Sequence, residues 1–201
     1  MTMKNRAWFL DEDGRVPPTL YVMYDHKECG SKVRFMYGKK IDLSKTKILI
    51  FNVEDTKWAK PEYIRKWDFL PNSTAIPLAN KKAIASLEEI APGQFQTLPS
   101  EIRMPDGSVI LDYKLINITN AVAAIDYAKC TLKEERFRTE ANKYKDYWYK
   151  KDCLGDSLHI AVEKDRTIFL GSETLRKGIK NASLSGLTFK ESWGGIHKFI
   201  F

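Results

Sequence analysis

The sequence contains few cysteines and no long apolar segment. Its three cysteines, Cys29, Cys130 and Cys153, form no Cys-x-x-Cys pair, so we expect neither a disulfide framework nor a zinc site. No apolar run approaches the roughly 18 residues that a membrane-spanning helix requires. The short apolar run at residues 7–10 is too brief for the core of a secretory signal. These absences predict a cytoplasmic protein that does not contact a membrane.

The sequence also lacks the short motifs that mark common active sites. It has no Gly-x-x-x-x-Gly-Lys-Ser/Thr or Gly-x-Gly-x-x-Gly loop for phosphate binding and no Gly-x-Ser-x-Gly nucleophile turn. The histidines, His26, His159 and His197, are scattered and form no pair at metal-binding spacing. We therefore expect a protein without catalytic activity, bound metal or cofactor.

Positive charge exceeds negative charge. Lysine and arginine total 33 against 26 aspartate and glutamate residues, which gives a formal net charge of +7. A basic protein can bind nucleic acid, an anionic membrane surface or an acidic protein. The 201 residues are 43% hydrophobic, which is enough to bury a substantial core in one domain, or in one domain with a smaller lobe.

The first 60 residues show the alternation of apolar and polar positions that is typical of strands. Residues 20–24 and 33–37 fit this period of two, residues 47–53 form a short β-rich run, and polar turns separate the three segments. We predict three antiparallel strands that form a β-rich N-terminal lobe over residues 1–60.

Helix signals appear only after this lobe. Pro61 suits the first turn of a short helix. Asn80 and Ser172 are suitable N-caps for two longer helices, because each precedes apolar residues at helical spacing. Asn120 likewise predicts a helix, over residues 121–126.

Strand patterns lie between and after these helices. They are predicted at residues 95–104, 109–118, 158–162, 167–170 and 187–189. The sequence Asp106-Gly107 is a strong turn signal between the first two of these strands. Because the strands and helices do not alternate regularly, we predict the α+β class, with a mixed C-terminal module at residues 61–201. The lobe and the module could also form one continuous domain.

Residues 133–151 combine basic and aromatic side chains. The segment reads KEERFRTEANKYKDYWYKK, with lysines on both sides of a tyrosine and tryptophan cluster. Such aromatics can pack on a sheet, bind a protein partner or stack on nucleic acid bases. The candidate partner-binding residues are Lys143, Tyr144, Lys145, Tyr147, Trp148, Tyr149, Lys150 and Lys151.

From Trp67 onward, short motifs follow one another in a distinctive order. They are DFLP (68–71), IPLAN (76–80), KKAIASLEE (81–89), FQTLP (95–99), YKLIN (113–117), AVAAID (121–126), TIFL (167–170) and LSGLTF (184–189). This order resembles the C-terminal module of immunity family eleven of the bacterial polymorphic-toxin systems, which includes myxobacterial members. The resemblance covers residues 67–191, about two-thirds of the chain.

Three regions depart from the family pattern. The predicted hairpin near Leu158 lacks a Phe-Arg pair before its turn, and residues 133–151 have the character of an insertion. The first 60 residues match no motif of the family.

The resemblance implies an immunity protein that is encoded beside a toxin and neutralises it by direct binding, without catalytic residues. Since the chain is basic, we expect a cognate toxin with an acidic binding face. The alternative is a nucleic-acid-binding module that uses residues 133–151. This alternative is less favoured, because acidic residues dilute the positive charge of the segment and no known nucleic-acid-binding motif is present.

Overall fold

The computed structural model describes residues 6–55, 59–135, 143–166, 168–193 and 197–199. Within these residues the strands, in chain order, are β1 (Ala7–Glu12), β2 (Val22–Tyr24), β3 (Leu49–Val53), β4 (Phe69–Leu70), β5 (Leu78–Asn80), β6 (Phe95–Arg103), β7 (Val109–Ile110), β8 (Tyr113–Ile118), β9 (Ala121–Val122), β10 (Thr131–Leu132), β11 (Tyr144–Tyr149), β12 (Ile160–Glu163), β13 (Ile168–Ser172), β14 (Leu187–Lys190), β15 (Ser192–Trp193) and β16 (His197–Phe199). The α-helices are α1 (His26–Cys29), α2 (Pro61–Ile64), α3 (Lys81–Ile90) and α4 (Glu173–Asn181).

The described strands form three sheets. The first has the order β2-β3-β6-β8-β5-β4, with β7 added to β6, and the second has the order β14-β1-β13-β12-β9. The third has the order β10-β11-β16-β15. Most neighbouring strands are antiparallel, but the pairs β3–β6, β9–β12 and β11–β16 are parallel. Mixed sheets with a few separate helices agree with the predicted α+β class.

Strand β1 lies inside the second sheet, a position that the sequence did not predict. Phe9 on β1 pairs with Leu170 of β13 on one side and with Lys190 of β14 on the other. Strands β2 and β3, in contrast, extend the first sheet through the parallel pair β3–β6. Strands from the first 60 residues thus contribute to two sheets, and a separate N-terminal lobe is not confirmed.

The strand predicted at residues 33–37 is wrong. The chain forms a short 3₁₀ helix, Lys32–Phe35, and Phe35 is buried in the core. These residues do not pair with β2, which is the edge strand of the first sheet next to β3. The left-handed Gly30 and Gly38, with φ of 76° and 63°, turn the chain at either end. An apolar period of two therefore did not suffice to make a strand.

The helix predicted at residues 121–126 is also wrong. Strand β9 occupies its first two positions and pairs in parallel with β12, while Ile125 forms an isolated bridge with Tyr149. The Asn120 side chain does not cap a helix, since its amide donates to the carbonyl of Gln94 at 3.3 Å. Pairing with distant strands satisfies the backbone groups that a short helix would have left exposed at its ends.

The other predicted helix starts are confirmed by their hydrogen bonds. The Asn80 side chain accepts from the backbone N–H of Ala83 at 2.9 Å, and Ser172 accepts from Leu175 at 3.1 Å. Each bond satisfies one of the N–H groups that a helix leaves unpaired at its N-terminus. Pro61 is the first residue of α2, as predicted.

The second sheet separates two hydrophobic cores. Leu10, Val162 and Phe169 point into the larger core, which the first sheet and helices α3 and α4 complete. Phe9 and Leu170 belong to the smaller core on the other face, together with residues of β11. Because both faces are covered, β12 and β13 are buried along their whole length.

Gly186 lies where the first and second sheets meet. Its φ is 92°, and a Cβ atom at this position would lie 1.9 Å from the carbonyl oxygen of Phe69. The adjacent Ser185 carbonyl accepts from the Phe69 N–H at 2.9 Å. The close approach of these two backbones therefore requires glycine.

We predict that Gly186→Ala destabilises the protein more than Gly93→Ala does. Gly93 also has a positive φ, of 71°, but no atom lies within 4 Å of its Cβ position. Both substitutions introduce backbone strain, and only Gly186→Ala adds a steric clash, so its loss of unfolding free energy should be larger by about 1–3 kcal/mol. Urea denaturation measures both variants, and equal losses would contradict the close packing at Gly186.

Trp8 joins β1 to helix α4. Its indole N–H donates to Glu173 Oε2 at 2.7 Å, and the guanidinium groups of Arg6 and Arg176 lie 4.4 and 4.6 Å from its ring centre. Arg176 also binds the Glu173 carboxylate through two hydrogen bonds, of 2.6 and 2.8 Å. The Arg176 hydrogen bonds are the main reason that the pKa of Glu173 is lowered, and the bond from Trp8 adds to the effect. The ionised carboxylate therefore stabilises the folded chain.

We predict that Glu173→Gln destabilises the protein by about 1.5–3 kcal/mol at neutral pH, since hydrogen bonds to a charged group are lost. Because the pKa of Glu173 is lowered in the folded chain, this stabilisation is fully present above the ordinary glutamate pKa of ~4.3. It is lost as the pH falls through the lower pKa of the folded state. The gap in melting temperature between wild type and variant should therefore narrow below about pH 4. Glu88→Gln, at an exposed position of α3, is the control, and a pH-independent gap would disprove the role of the charge.

Candidate interaction surface

The predicted partner-binding segment is a strand of the third sheet in its described part. Strand β11 pairs with β10 on one side and with β16 on the other, while residues 136–142 of the segment lie outside the described residues. Backbone hydrogen bonds also tie its end to the rest of the chain: Lys150 donates to Ala124 at 3.0 Å, and Lys151 accepts from Ala7 at 2.8 Å. The described part of the segment therefore belongs to the folded structure.

Two of its tyrosines are core residues. Tyr147 is 2% exposed and Tyr149 is fully buried, and both belong to the smaller core. The rings of Tyr149 and Phe9 meet edge to face, with centres 4.9 Å apart. Burial, reinforced by the nearby Glu163, raises the pKa of Tyr149 and keeps its phenol neutral. Of the three roles considered for these aromatics, packing on a sheet is the one that these two side chains fulfil.

The other predicted residues reach the surface to different degrees. The side chains of Lys143, Lys145 and Lys150 are exposed, and those of Tyr144, Trp148 and Lys151 are half-buried. The Trp148 backbone N–H donates to the Cys130 thiol at 3.4 Å. Strand β11 thus divides the predicted site into a buried part and an accessible part.

A row of contacting rings leads from the core to the surface. The ring centres of Tyr127 and Tyr144 are 5.4 Å apart, and those of Tyr144 and Tyr147 are 5.5 Å apart. The Arg166 guanidinium lies 4.0 Å from the ring centre of Tyr147, in the geometry of a cation–π contact. We call Tyr127, Tyr144, Tyr147 and Arg166 the aromatic row.

A β-bulge explains how Tyr144 and Tyr147 can touch although they are three residues apart. Thr131 pairs with Asp146 and Leu132 pairs with Tyr144, so two residues of β10 oppose three of β11. A bulge of this kind bends the strand and redirects side chains. Leu132, directly opposite Tyr144, is 51% exposed and adds apolar surface beside the row.

The outer end of the row is held by hydrogen bonds that the sequence did not predict. Tyr127 is 44% exposed, yet its hydroxyl donates to Asp165 Oδ2 at 2.7 Å. Desolvation and this bond raise the pKa of Tyr127, so that it remains a donor. Glu163, which is fully buried, accepts from the backbone N–H groups of Asp165 and Arg166 at 2.8 and 2.7 Å. The buried Glu163 side chain therefore fixes the turn that carries Asp165, the hydrogen-bond partner of Tyr127, and Arg166 of the aromatic row.

Sequence reasoning missed Tyr127, Leu132 and Arg166. Tyr127 follows a segment that was predicted to be a helix, and Arg166 lies between the strands predicted at residues 158–162 and 167–170. Their proximity to Tyr144 depends on the pairing of β9 with β12 and of β10 with β11. No local sequence signal marks Leu132 or Arg166. The polar residues around Tyr127 suggest only that its side chain is exposed.

Two of the three scattered histidines contact neighbouring side chains. His159 Nδ1 lies 3.1 Å from the hydroxyl of Ser172, and the His26 ring meets Tyr24 edge to face at 5.0 Å. In the described parts of the chain, no group of three or more His, Cys, Asp or Glu side chains could hold a metal ion. The helices of those same parts are all too short or too polar to cross a membrane.

Comparison with known proteins assigns the family. The model of the Immunity protein family (Imm11) matches residues 10–192. The match confirms the predicted resemblance and extends it toward the N-terminus, where no motif had indicated it. A search of curated proteins finds no match. Because the family model spans most of the sequence, the chain belongs to the Imm11 immunity protein family.

Proposed function

We propose that this chain binds and neutralises a cognate antibacterial toxin in the cytoplasm of the bacterium that produces it, without catalysing a reaction. The observation that carries this proposal is the family match over residues 10–192. An inhibitor of this kind needs a surface with aromatic anchors and charge that complements the partner. The accessible end of the aromatic row and the lysines beside it meet both needs.

The aromatic row suits a binding anchor for two physical reasons. Tyr127, Leu132 and Tyr144 together present apolar surface that gains free energy when a partner covers it. The Tyr127–Asp165 hydrogen bond and the packing of Tyr144 on Tyr147 restrict the side chains before binding. Such preorganisation lowers the entropy that binding costs.

The lysines of the segment favour a partner with an acidic face. Lys143 and Lys145 flank Tyr144, and both are exposed. Exposed charges of this type speed the diffusional encounter with an oppositely charged surface more than they strengthen the final complex. Since Tyr147 and Tyr149 are buried, we limit the proposed contact residues of the segment to its four lysines, Tyr144 and Trp148.

We predict that Tyr144→Ala weakens binding of the toxin domain encoded beside this chain by about 2 kcal/mol or more, because an anchor side chain is lost. Titration calorimetry measures this change, and melting curves check that the variant stays folded. Tyr37→Ala is the matched control, since Tyr37 is a 47% exposed tyrosine elsewhere on the chain. We expect the control to bind as the wild type does.

The fully buried Tyr149 provides a second comparison. Tyr149→Ala should lower the melting temperature, because it removes a core ring. If Tyr144→Ala instead lost stability and kept its affinity for the toxin, the aromatic row would be a packing feature and not the binding anchor. If the wild-type chain neither bound the adjacent toxin nor protected cells from it, the proposed function itself would fail.

Nucleic acid remains the second candidate partner because of the lysines beside accessible aromatics. We predict binding to single-stranded DNA or RNA weaker than about 1 μM at physiological salt, since non-specific phosphate contacts are easily displaced by ions. Burial of Tyr147 and Tyr149 removes two possible stacking rings, and Asp146 offsets part of the charge. Fluorescence anisotropy with labelled oligonucleotides measures the affinity, and submicromolar binding would favour the nucleic-acid function.

A further inference from the structure

Two cavities adjoin each other at the C-terminal end of β1. The larger, of about 640 Å³, is lined by Tyr21, Met23 and four carboxylate side chains. The smaller, of about 390 Å³, has mainly apolar walls, formed by residues such as Leu10, Phe69 and Leu187. Asp11 and Glu12 line both cavities, so the two form one concave surface. We call this surface the β1 cleft.

The apolar cavity lies between the first two sheets. Phe69 and Leu70 come from β4 of the first sheet, while Leu10, Phe169 and Leu187 come from the second sheet. Cavities of a few hundred Å³ with apolar walls are the usual size of sites that receive a buried side chain or a small ligand. An apolar side chain of a partner therefore fits here.

The charge of the cleft is opposite to that of the chain as a whole. Asp11, Glu12, Asp13 and Glu54 line the larger cavity of a protein whose net charge is +7. Lys190 pairs with Asp11, and Arg15 pairs with Asp13 at 2.5 Å. No ion pair among the described residues reaches Glu12 or Glu54. Two carboxylates at the rim are thus available to a cation.

The environment of the cleft affects the pKa of Glu12. Partial desolvation in the cleft and the neighbouring Asp11 carboxylate raise the pKa of Glu12, and a backbone hydrogen bond from Asn72 and the charge of Lys190 offset only part of this rise. A bound ammonium or guanidinium group would relieve the repulsion between the two carboxylates. The rim is therefore complementary to lysine or arginine.

One wall of the apolar cavity is unusually constrained. Ala75 has a φ of 60°, a left-handed conformation that non-glycine residues seldom adopt. The Asn72 side chain holds the loop, because it accepts from the Thr74 N–H at 3.0 Å and donates to the Ile76 carbonyl at 2.8 Å. Strain of this kind persists only where the surrounding structure enforces it, and it is common at binding sites.

The cleft is continuous with the aromatic row. Arg166 lines the apolar cavity, and its guanidinium packs on the ring of Tyr147. A single partner can therefore cover both surfaces at once, with its acidic groups near the lysines of β11 and a basic group at the cleft.

We propose that the β1 cleft binds a segment of the toxin that places an apolar side chain in the smaller cavity and a lysine or arginine against Glu12 and Glu54. This inference rests on the proposed function and adds the second half of the interface. Charge complementarity is the argument for this occupant, because Glu12 and Glu54 have no ion-pair partner among the described residues and adjoin an apolar cavity, which together favour a segment that is both basic and apolar.

The double variant Glu12→Gln/Glu54→Gln tests the inference. Both side chains are exposed, so the variant should fold as the wild type does. We expect its affinity for the adjacent-encoded toxin domain, measured by calorimetry, to fall at least about tenfold, since two ion pairs are lost. The matched control is Glu88→Gln/Glu89→Gln, two exposed glutamates of α3 outside the cleft. It changes the net charge equally and should bind within about twofold of wild type.

A second measurement uses the unchanged protein and follows the apolar cavity directly. The methyl NMR signals of Leu10 and Leu187 should shift when the toxin domain is added, whereas those of Leu111, which is 66% exposed and lies outside the cleft, should not. Tight binding of the wild type together with unchanged affinity of the Glu12/Glu54 variant and unshifted cleft methyls would overturn the inference and leave the proposed function intact. No binding by the wild type would refute both.

Discussion

Strand β1 pairs with β13 on one side and with β14 on the other, and its side chains enter both hydrophobic cores. Phe9 packs on Tyr149 and so positions β11, while Leu10 faces the larger core. Trp8 ties the same strand to helix α4 through Glu173. The strand ends at Asp11 and Glu12, which form the rim of the β1 cleft. The aromatic row and the cleft therefore keep their relative positions only while this strand stays paired on both edges.

The two surfaces carry opposite charge, which has consequences for recognition. In the proposed complex, the β11 lysines would attract an acidic face, whereas the carboxylates of the cleft would attract a basic segment. A partner with only one of these features would meet repulsion or an unpaired charge at the other surface. Such a penalty would contribute to specificity as much as favourable contacts do.

The aromatic residues of β11 lie both in the core and near the surface. Tyr147 and Tyr149 fill the smaller core, and the ring of Tyr144 contacts Tyr147 from the surface side. Because the outer ring rests on a core ring, the surface proposed for binding depends on the packing of this strand. The buried Glu163 and the Asp165–Tyr127 hydrogen bond extend that dependence to the turn between β12 and β13.

The sequence alone determined the features that depend on neighbouring residues. Asn80 and Ser172 begin their helices as predicted, and the turn at Asp106-Gly107 follows β6, because each involves atoms only a few residues apart. The order of short motifs identified the family.

Tertiary structure decided the rest. Residues 33–37 have a strand pattern but include the end of a 3₁₀ helix with Phe35 in the core, and residues 121–126 have a helix cap but pair with β12 and Tyr149. The burial of Tyr147 and Tyr149, the accessibility of Tyr144 and the assembly of the cleft likewise depend on which distant strands become neighbours. Contacts between residues far apart in the chain carry no local signal, and they override the weak preferences of short segments.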